Sequence, residues 1–292
     1  MLSNRFVERN VKWIFPLPAT VFIILMMIAP LFYTLYISLT DYDMTSGGAL
    51  HFTGLNNYLT MFQEPRFYNA LWLTLYFTVL AVGIETVFGV IIALILNREF
   101  KGKNVAKFIL LLPMVATPVA IGLAWTLFYE PTIGLGNYAL KLLGLPASQW
   151  LASNMMVIPS LVIVDIWQWT PMIALIVLAG LAAMPGDPFE AAVVDGASAR
   201  QTLFYVTIPL VAPTIFIAVV LRCIDALKTF DIIYVMTTGG PGFASETLNI
   251  YAYNLGFGYF RFGAASAALV ALFAVVLGVS VIVLKMRKTL DA

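Results

Sequence analysis

Six apolar stretches punctuate the chain, at residues 14–39, 70–96, 106–128, 157–183, 208–231 and 264–284. A helix of ~20 apolar residues crosses the ~30 Å hydrocarbon core of a bilayer. Lipid offers no hydrogen-bond partners, so each crossing has to satisfy its backbone internally as a helix. The pattern predicts an all-α, polytopic membrane protein with six transmembrane helices, forming a single transmembrane domain over residues 1–292. The first stretch follows Arg5, Arg9 and Lys12, as a secretory signal does. It is too long for a signal core, and no small-residue cleavage pattern follows Tyr36-Ile37-Ser38-Leu39. It therefore reads as a retained helix.

Composition agrees. The chain is 61% hydrophobic and 11% charged, where a soluble domain carries roughly 25% charged residues. Its net charge of +1 gives no field to attract nucleic acid. One Cys (Cys223) and one His (His51) exclude a disulfide framework and an ordinary zinc site. Lys and Arg set the orientation. With the N-terminus inside, eleven fall in inner segments (Arg5, Arg9, Lys12, Arg98, Lys101, Lys103, Lys107, Arg200, Lys285, Arg287, Lys288), and three (Arg66, Lys141, Arg261) fall outside. That bias puts both termini in the cytoplasm.

The loop 184–207, between the fourth and fifth spans, carries dense local signals. Asp187 can cap a helix, Pro188 suits its first position, and Glu190 stands three residues after the cap. Gly196 suits the left-handed residue that ends such a helix. Ser198 and Gln201 offer a second capping box, and Pro209 is placed to bend the helix that follows. These signals predict two short helices about a glycine hinge, serving as a docking surface or lying along the lipid headgroups.

The string Glu190-Ala191-Ala192, Asp195-Gly196-Ala197, then Ile208-Pro209-Leu210 resembles the EAA loop of permease subunits of bacterial ABC importers. A second block, Thr237-Thr238-Gly239-Gly240-Pro241 followed by Ser245-Glu246-Thr247-Leu248 and Tyr251-Ala252-Tyr253, is similar to the carbohydrate-uptake branch. There it is closer to the first of the two paired maltose-type and glycerol-phosphate-type permeases. The resemblance implies the type I importer permease fold in a bacterial cytoplasmic (inner) membrane. It assigns coupling to a separate ATPase to Glu190, Ala191, Ala192, Asp195 and Gly196. It also implies a second permease, a dimer of ATP-binding cassette subunits and an extracytoplasmic solute-binding protein as partners. ATP and Mg would be bound by the ATPase partners, with no cofactor, metal or catalytic residue in this chain. The stretch 232–263, with its Gly-Gly-Pro turn, would face the binding protein.

Ionisable residues inside spans cost at least ~2.5 kcal/mol each at the bilayer centre, so they mark function or pairing. Asp165, Gln168, Trp169 and Met172 share one helical face, and Arg222, Asp225, Ala226 and Thr229 share another. Two polar stripes on adjacent spans suggest two walls of a cavity. The alternative is an internal ion-pair network, because Arg222–Asp225 and Asp225–Lys228 are both spaced i, i+3. In the family, residues of these helices hold substrate about mid-membrane, so the resemblance assigns sugar binding to Asp165, Gln168, Trp169, Arg222, Asp225 and Thr229. Carboxylates, amides and a guanidinium suit hydroxyls, and the Trp169 face suits a pyranose.

Depth adds a geometric expectation. Asp165 lies eight residues (~12 Å) below the outer end of span four, and Arg222 lies nine (~13 Å) below that of span five. The two are expected to pair, directly or through water or substrate. Glu85, in span two, reads as a helix–helix hydrogen-bonding residue rather than a ligand. No Gly-x-x-x-x-Gly-Lys-Ser/Thr loop is present, so any ATP hydrolysis would fall to another subunit. The rival function is an ion-coupled secondary transporter that uses the intramembrane Asp, Arg and Lys residues.

Overall fold

The computed structural model describes residues 12–13, 15–48 and 50–290, with side chains to residue 285. Arg5 and Arg9, and the side chains of Arg287 and Lys288, lie outside the described residues. Among the described residues the chain is all α apart from an isolated Thr40–Phe52 bridge. Its helices are α1 (Leu17–Ser38), α2 (Asn56–Gln63), α3 (Pro65–Asn97), α4 (Lys103–Val115), α5 (Pro118–Phe128) and α6 (Leu135–Leu142). They continue as α7 (Val157–Ala182), α8 (Asp187–Val194), α9 (Ala199–Leu227), α10 (Asp231–Thr237), α11 (Leu248–Tyr253) and α12 (Phe262–Leu290). Among the described residues, five helices are long and apolar enough to cross a membrane, or six if the bent pair α4–α5 counts as one.

That pair is sharply bent. The stretch 106–128 is apolar throughout, yet α4 and α5 meet at 95°. Pro118 excludes its predecessor from helical backbone. Thr117 is accordingly extended (φ −67°, ψ 140°), as is Ala116 (φ −74°, ψ 144°). The fifth stretch is also interrupted. Helix α9 stops at Leu227, and Asp231 opens the separate helix α10.

The chain falls into two units, residues 1–64 with 252–271 and residues 65–251 with 272–292. In the first, the connection after α1 is tied down by side chains. Asn57 Nδ2 donates to the carbonyls of Ser38 (2.8 Å) and Thr40 (2.7 Å), and the Ser38 and Tyr58 hydroxyls bond at 2.6 Å. Most of α1 presents exposed apolar side chains, as a helix meeting lipid would.

In the second unit, α7 is the central helix. Two glycines let its neighbours approach it. A Cβ on Gly89 of α3 would stand 2.7 Å from Ile173 Cγ2, and a Cβ on Gly180 of α7 would stand 2.7 Å from Thr214 of α9. Small residues at such crossings permit the close backbone contact that holds helices together in lipid. Leu73, Phe77, Leu161, Val164 and Ile233 form one buried apolar cluster, and Ala93, Ile173, Val177, Val211 and Ala218 form another. Beyond α5, the Glu130 carboxylate accepts the N–H groups of Ile133 and Thr132, each at 2.7 Å. Those bonds hold it below the usual carboxylate range.

Within α9, Thr202–Thr207 is a π-helical turn. Pro209 has no N–H to give the carbonyl one turn back, and the widened turn before it absorbs that loss.

Candidate functional site: a polar cavity beside a buried ion triad

Arg222 of α9 is 1% exposed, an untenable position for an unpaired guanidinium. Two carboxylates on two other helices meet it. Its Nε donates to Glu85 Oε2 of α3 at 2.7 Å, and its Nη2 donates to Glu85 Oε1 at 3.2 Å. Nη2 also donates to Asp165 Oδ2 of α7. Asp165 and Arg222 therefore pair directly, as their matched depths predict. The planar guanidinium suits this geometry because its N–H fork engages a carboxylate at two points. Trp169 covers it, with the ring centre 5.4 Å from Cζ.

The Arg222–Asp225 pair of the alternative reading is not among the bonds of the described residues. Asp225 is half exposed and lies 3.6 Å from Lys228 Nζ. A guanidinium within reach of two buried carboxylates is better served there than by a solvated one on its own helix. The ion-pair network expected as an alternative to a cavity is thus present in part, and it forms one wall of a cavity.

That cavity, about 350 Å³, is lined by Asp165, Gln168 and Trp169 of α7 and by Arg222 and Asp225 of α9. Lys228, Thr229 and Phe230 after α9, Asp231 and Ile232 of α10, and Pro118 at the α4–α5 break complete it. All six residues expected at a binding site thus surround one space. Gln168 is 2% exposed, and no hydrogen bond engages its amide among the described residues. Phe230, Ile232 and Pro118 were not foreseen. Proline after a threonine, Thr117-Pro118, was the available signal for the last. The volume falls within the ~300–1,000 Å³ range of small-molecule sites. Hydroxyl-accepting carboxylates, an amide, a guanidinium and an indole face surround it, a set suited to polyhydroxylated solutes.

The second candidate region is the loop around α8. Gly196 has φ +71° and closes α8 in a Schellman arrangement. The Ala197 N–H donates to Ala192 O (2.9 Å) and the Gly196 N–H to Val193 O (3.1 Å). The Ser198–Gln201 capping box forms with both bonds present. The first cap is corrected: Gly186 takes the cap position, and Asp187 is already helical. Gly186 itself has helical backbone (φ −73°, ψ −33°), so the helix begins one residue early and Asp187 cannot cap it. Glu190, Ala191, Asp195 and Gly196 are exposed, while Ala192 is buried. Val193 and Val194 are also exposed, 76% and 86%.

On the 232–263 stretch, the turn after α10 is anchored by an ion pair the sequence did not reveal. Arg66 Nε and Nη2 each donate to a Glu246 carboxylate oxygen at 2.6 Å. The Phe243 ring lies 4.0 Å from Arg66 Cζ. Among the described residues no group of three or more His, Cys, Asp or Glu side chains is arranged to hold a metal ion.

The family model described as "Binding-protein-dependent transport system inner membrane component" matches residues 85–287. The "Probable ABC transporter permease protein y4oQ" of Sinorhizobium fredii is 40% identical over 88% of this chain and 83% of its own length. The "Trehalose/maltose transport system permease protein MalF" of Thermococcus litoralis is 36% identical over 96% of this chain and 95% of its own. Among solved structures, a chain of a bacterial ABC transporter involved in the import of the acidic polysaccharide alginate superposes with a TM-score of 0.84. It shares 22% identity and covers 99% of each chain, a likeness of fold.

Proposed function

Because the chain belongs to the family of inner-membrane components of binding-protein-dependent transport systems, we propose that it forms half of the path by which an ATP-driven importer takes up a sugar or sugar derivative. One observation carries this reading: Asp165, Gln168, Trp169, Arg222, Asp225 and Thr229, from two helices and the turn after them, line a single polar cavity. Relatives that span nearly the whole chain support the substrate class, since their names specify trehalose and maltose transport.

In this mechanism the sugar is held by residues of α7 and α9, with Trp169 against its apolar face and Gln168 and Arg222 giving hydrogen bonds to hydroxyls. A second permease closes the opposite side. The first-of-the-pair assignment rests on the Thr237–Tyr253 block. Helix α8 fits a cleft of a separate ATPase subunit, with Glu190, Ala191, Ala192, Asp195 and Gly196 as the coupling element. The exposed Val193 and Val194 support a docking face over a headgroup-lying helix, because they stand beside charges rather than on one apolar stripe. ATP and Mg bind to the ATPase dimer, and its closure moves α8 and switches the cavity between sides. A binding protein delivers the solute at the face opposite the ATPase, and both termini lie with the ATPase on the cytoplasmic side.

The test is reconstitution in nanodiscs of the permease pair, the ATPase subunits and the binding protein, with hydrolysis measured across a sugar panel. A neutral mono- or disaccharide is expected to stimulate ATPase activity in the presence of the binding protein. Stimulation by none of the sugars, with stimulation by amino acids or metal ions instead, would overturn the substrate class.

A further inference from the structure

The charges around the cavity are unequal, and the inequality bears on which sugars it accepts. Three carboxylates line it (Asp165, Asp225, Asp231) against two cations (Arg222, Lys228), and a fourth carboxylate, Glu85, stands behind Arg222. Both cations are already committed. Glu85 and Asp165 occupy Nε and Nη2 of Arg222, and Asp225 lies beside Lys228. Among the described residues, no hydrogen bond engages Arg222 Nη1, which leaves an N–H donor for an uncharged hydroxyl. An anionic group brought to the same nitrogen would face two carboxylates across one guanidinium.

Resting on the sugar reading above, we propose that this wall selects for uncharged sugars and repels acidic ones, with Glu85 and Asp165 as the specificity-determining residues. Glu85 acts through Arg222, as a positioning residue that keeps the guanidinium both fixed and neutralised. Bringing like charges together suppresses the wrong ligand far more than it weakens the right one.

The experiment bypasses the binding protein, which has a filter of its own. The permease pair with its ATPase subunits, in nanodiscs, is titrated by saturation-transfer NMR with neutral glucosides and maltosides and with the corresponding glucuronides. The expected result is binding of at least one neutral sugar, with its uronate counterpart weaker by about tenfold or more. In Glu85→Gln that ratio should shrink at least about threefold, because neutralising one acid releases part of the guanidinium charge. Should Glu85→Gln fail to assemble, Asp231→Asn at the exposed end of the same wall is expected to shrink the ratio in the same direction. Equal or tighter uronate binding by the unmodified complex overturns the selectivity while leaving the sugar reading standing. An unchanged ratio in the variant that assembles overturns the role of the acidic wall. Binding of neither sugar class refutes the sugar reading itself, and the inference with it.

Discussion

Replacing Arg222 with Gln tests the buried triad most directly. The substitution keeps a hydrogen-bonding side chain but removes the one charge that Glu85 and Asp165 share. Both carboxylates stay in place, each essentially inaccessible to water. An ion pair at ~4 Å contributes about 4 kcal/mol at an effective dielectric of 20, and desolvation offsets much of it while the triad is intact. Once the cation is gone, only the desolvation and the mutual repulsion of the acids remain, a loss of about 3–5 kcal/mol. For a domain of this size that corresponds to a fall of roughly 10 °C in the thermal midpoint of the assembled complex, read by size exclusion after heating. Asp165→Asn should cost less, since Glu85 still holds the guanidinium at two points. The double change Asp165→Asn with Arg222→Gln should cost less than the sum of its parts by about 1–3 kcal/mol. The decisive comparison is the triple variant Glu85→Gln, Asp165→Asn, Arg222→Gln. It has no buried charge left to strand and should be more stable than Arg222→Gln alone. A triple variant no more stable than the single one, together with an additive double variant, would refute the triad as an electrostatic unit.

Other substitutions probe packing, coupling and the cavity. Gly89→Val should disrupt the α3–α7 crossing, because its Cβ would fall 2.7 Å from Ile173 Cγ2; a cost of about 1–3 kcal/mol and a loss of assembled complex on size exclusion are expected. Gly196→Asp places a charged side chain at φ +71° on the exposed end of α8, costing about 1 kcal/mol or less locally, and should abolish substrate-stimulated ATPase activity while the complex still assembles. Trp169→Ala removes the cover over both the guanidinium and the cavity, and should lower sugar uptake by about tenfold with normal amounts of complex in the membrane; unaltered uptake would make Trp169 a packing residue.

Much of this arrangement was legible where the relevant physics is local. The φ of Gly196 and the Ser198–Gln201 box follow from caps written within a few residues. The Asp165–Arg222 pair followed from rise per residue, once the polar stripes of the two helices were set against one cavity. The bend before Pro118 was hidden because hydropathy runs unbroken across Ala116 and Thr117 and outweighs a two-residue backbone signal. Asp187 failed as a cap because Gly186 before it already takes helical backbone. The partner of Glu85 lies 137 residues away, and Glu246 meets Arg66 across 180. No periodicity carries such pairings; they depend on which helices pack together.

The triad also constrains how the chain is made. Its charges are synthesised one helix at a time, acids before base. Glu85 precedes Arg222 by 137 residues and Asp165 precedes it by 57. At 5–20 residues per second, Glu85 waits roughly 7–27 s and Asp165 roughly 3–11 s before their shared cation has even been synthesised. During that interval the nascent chain holds two carboxylates destined for a buried position while their shared cation is still to come. Arrival of α9 closes the account for all three helices at once. The residue that completes the wall of the cavity is therefore also the last of the three charges to be made, and neither acid has this partner until α9 is in place.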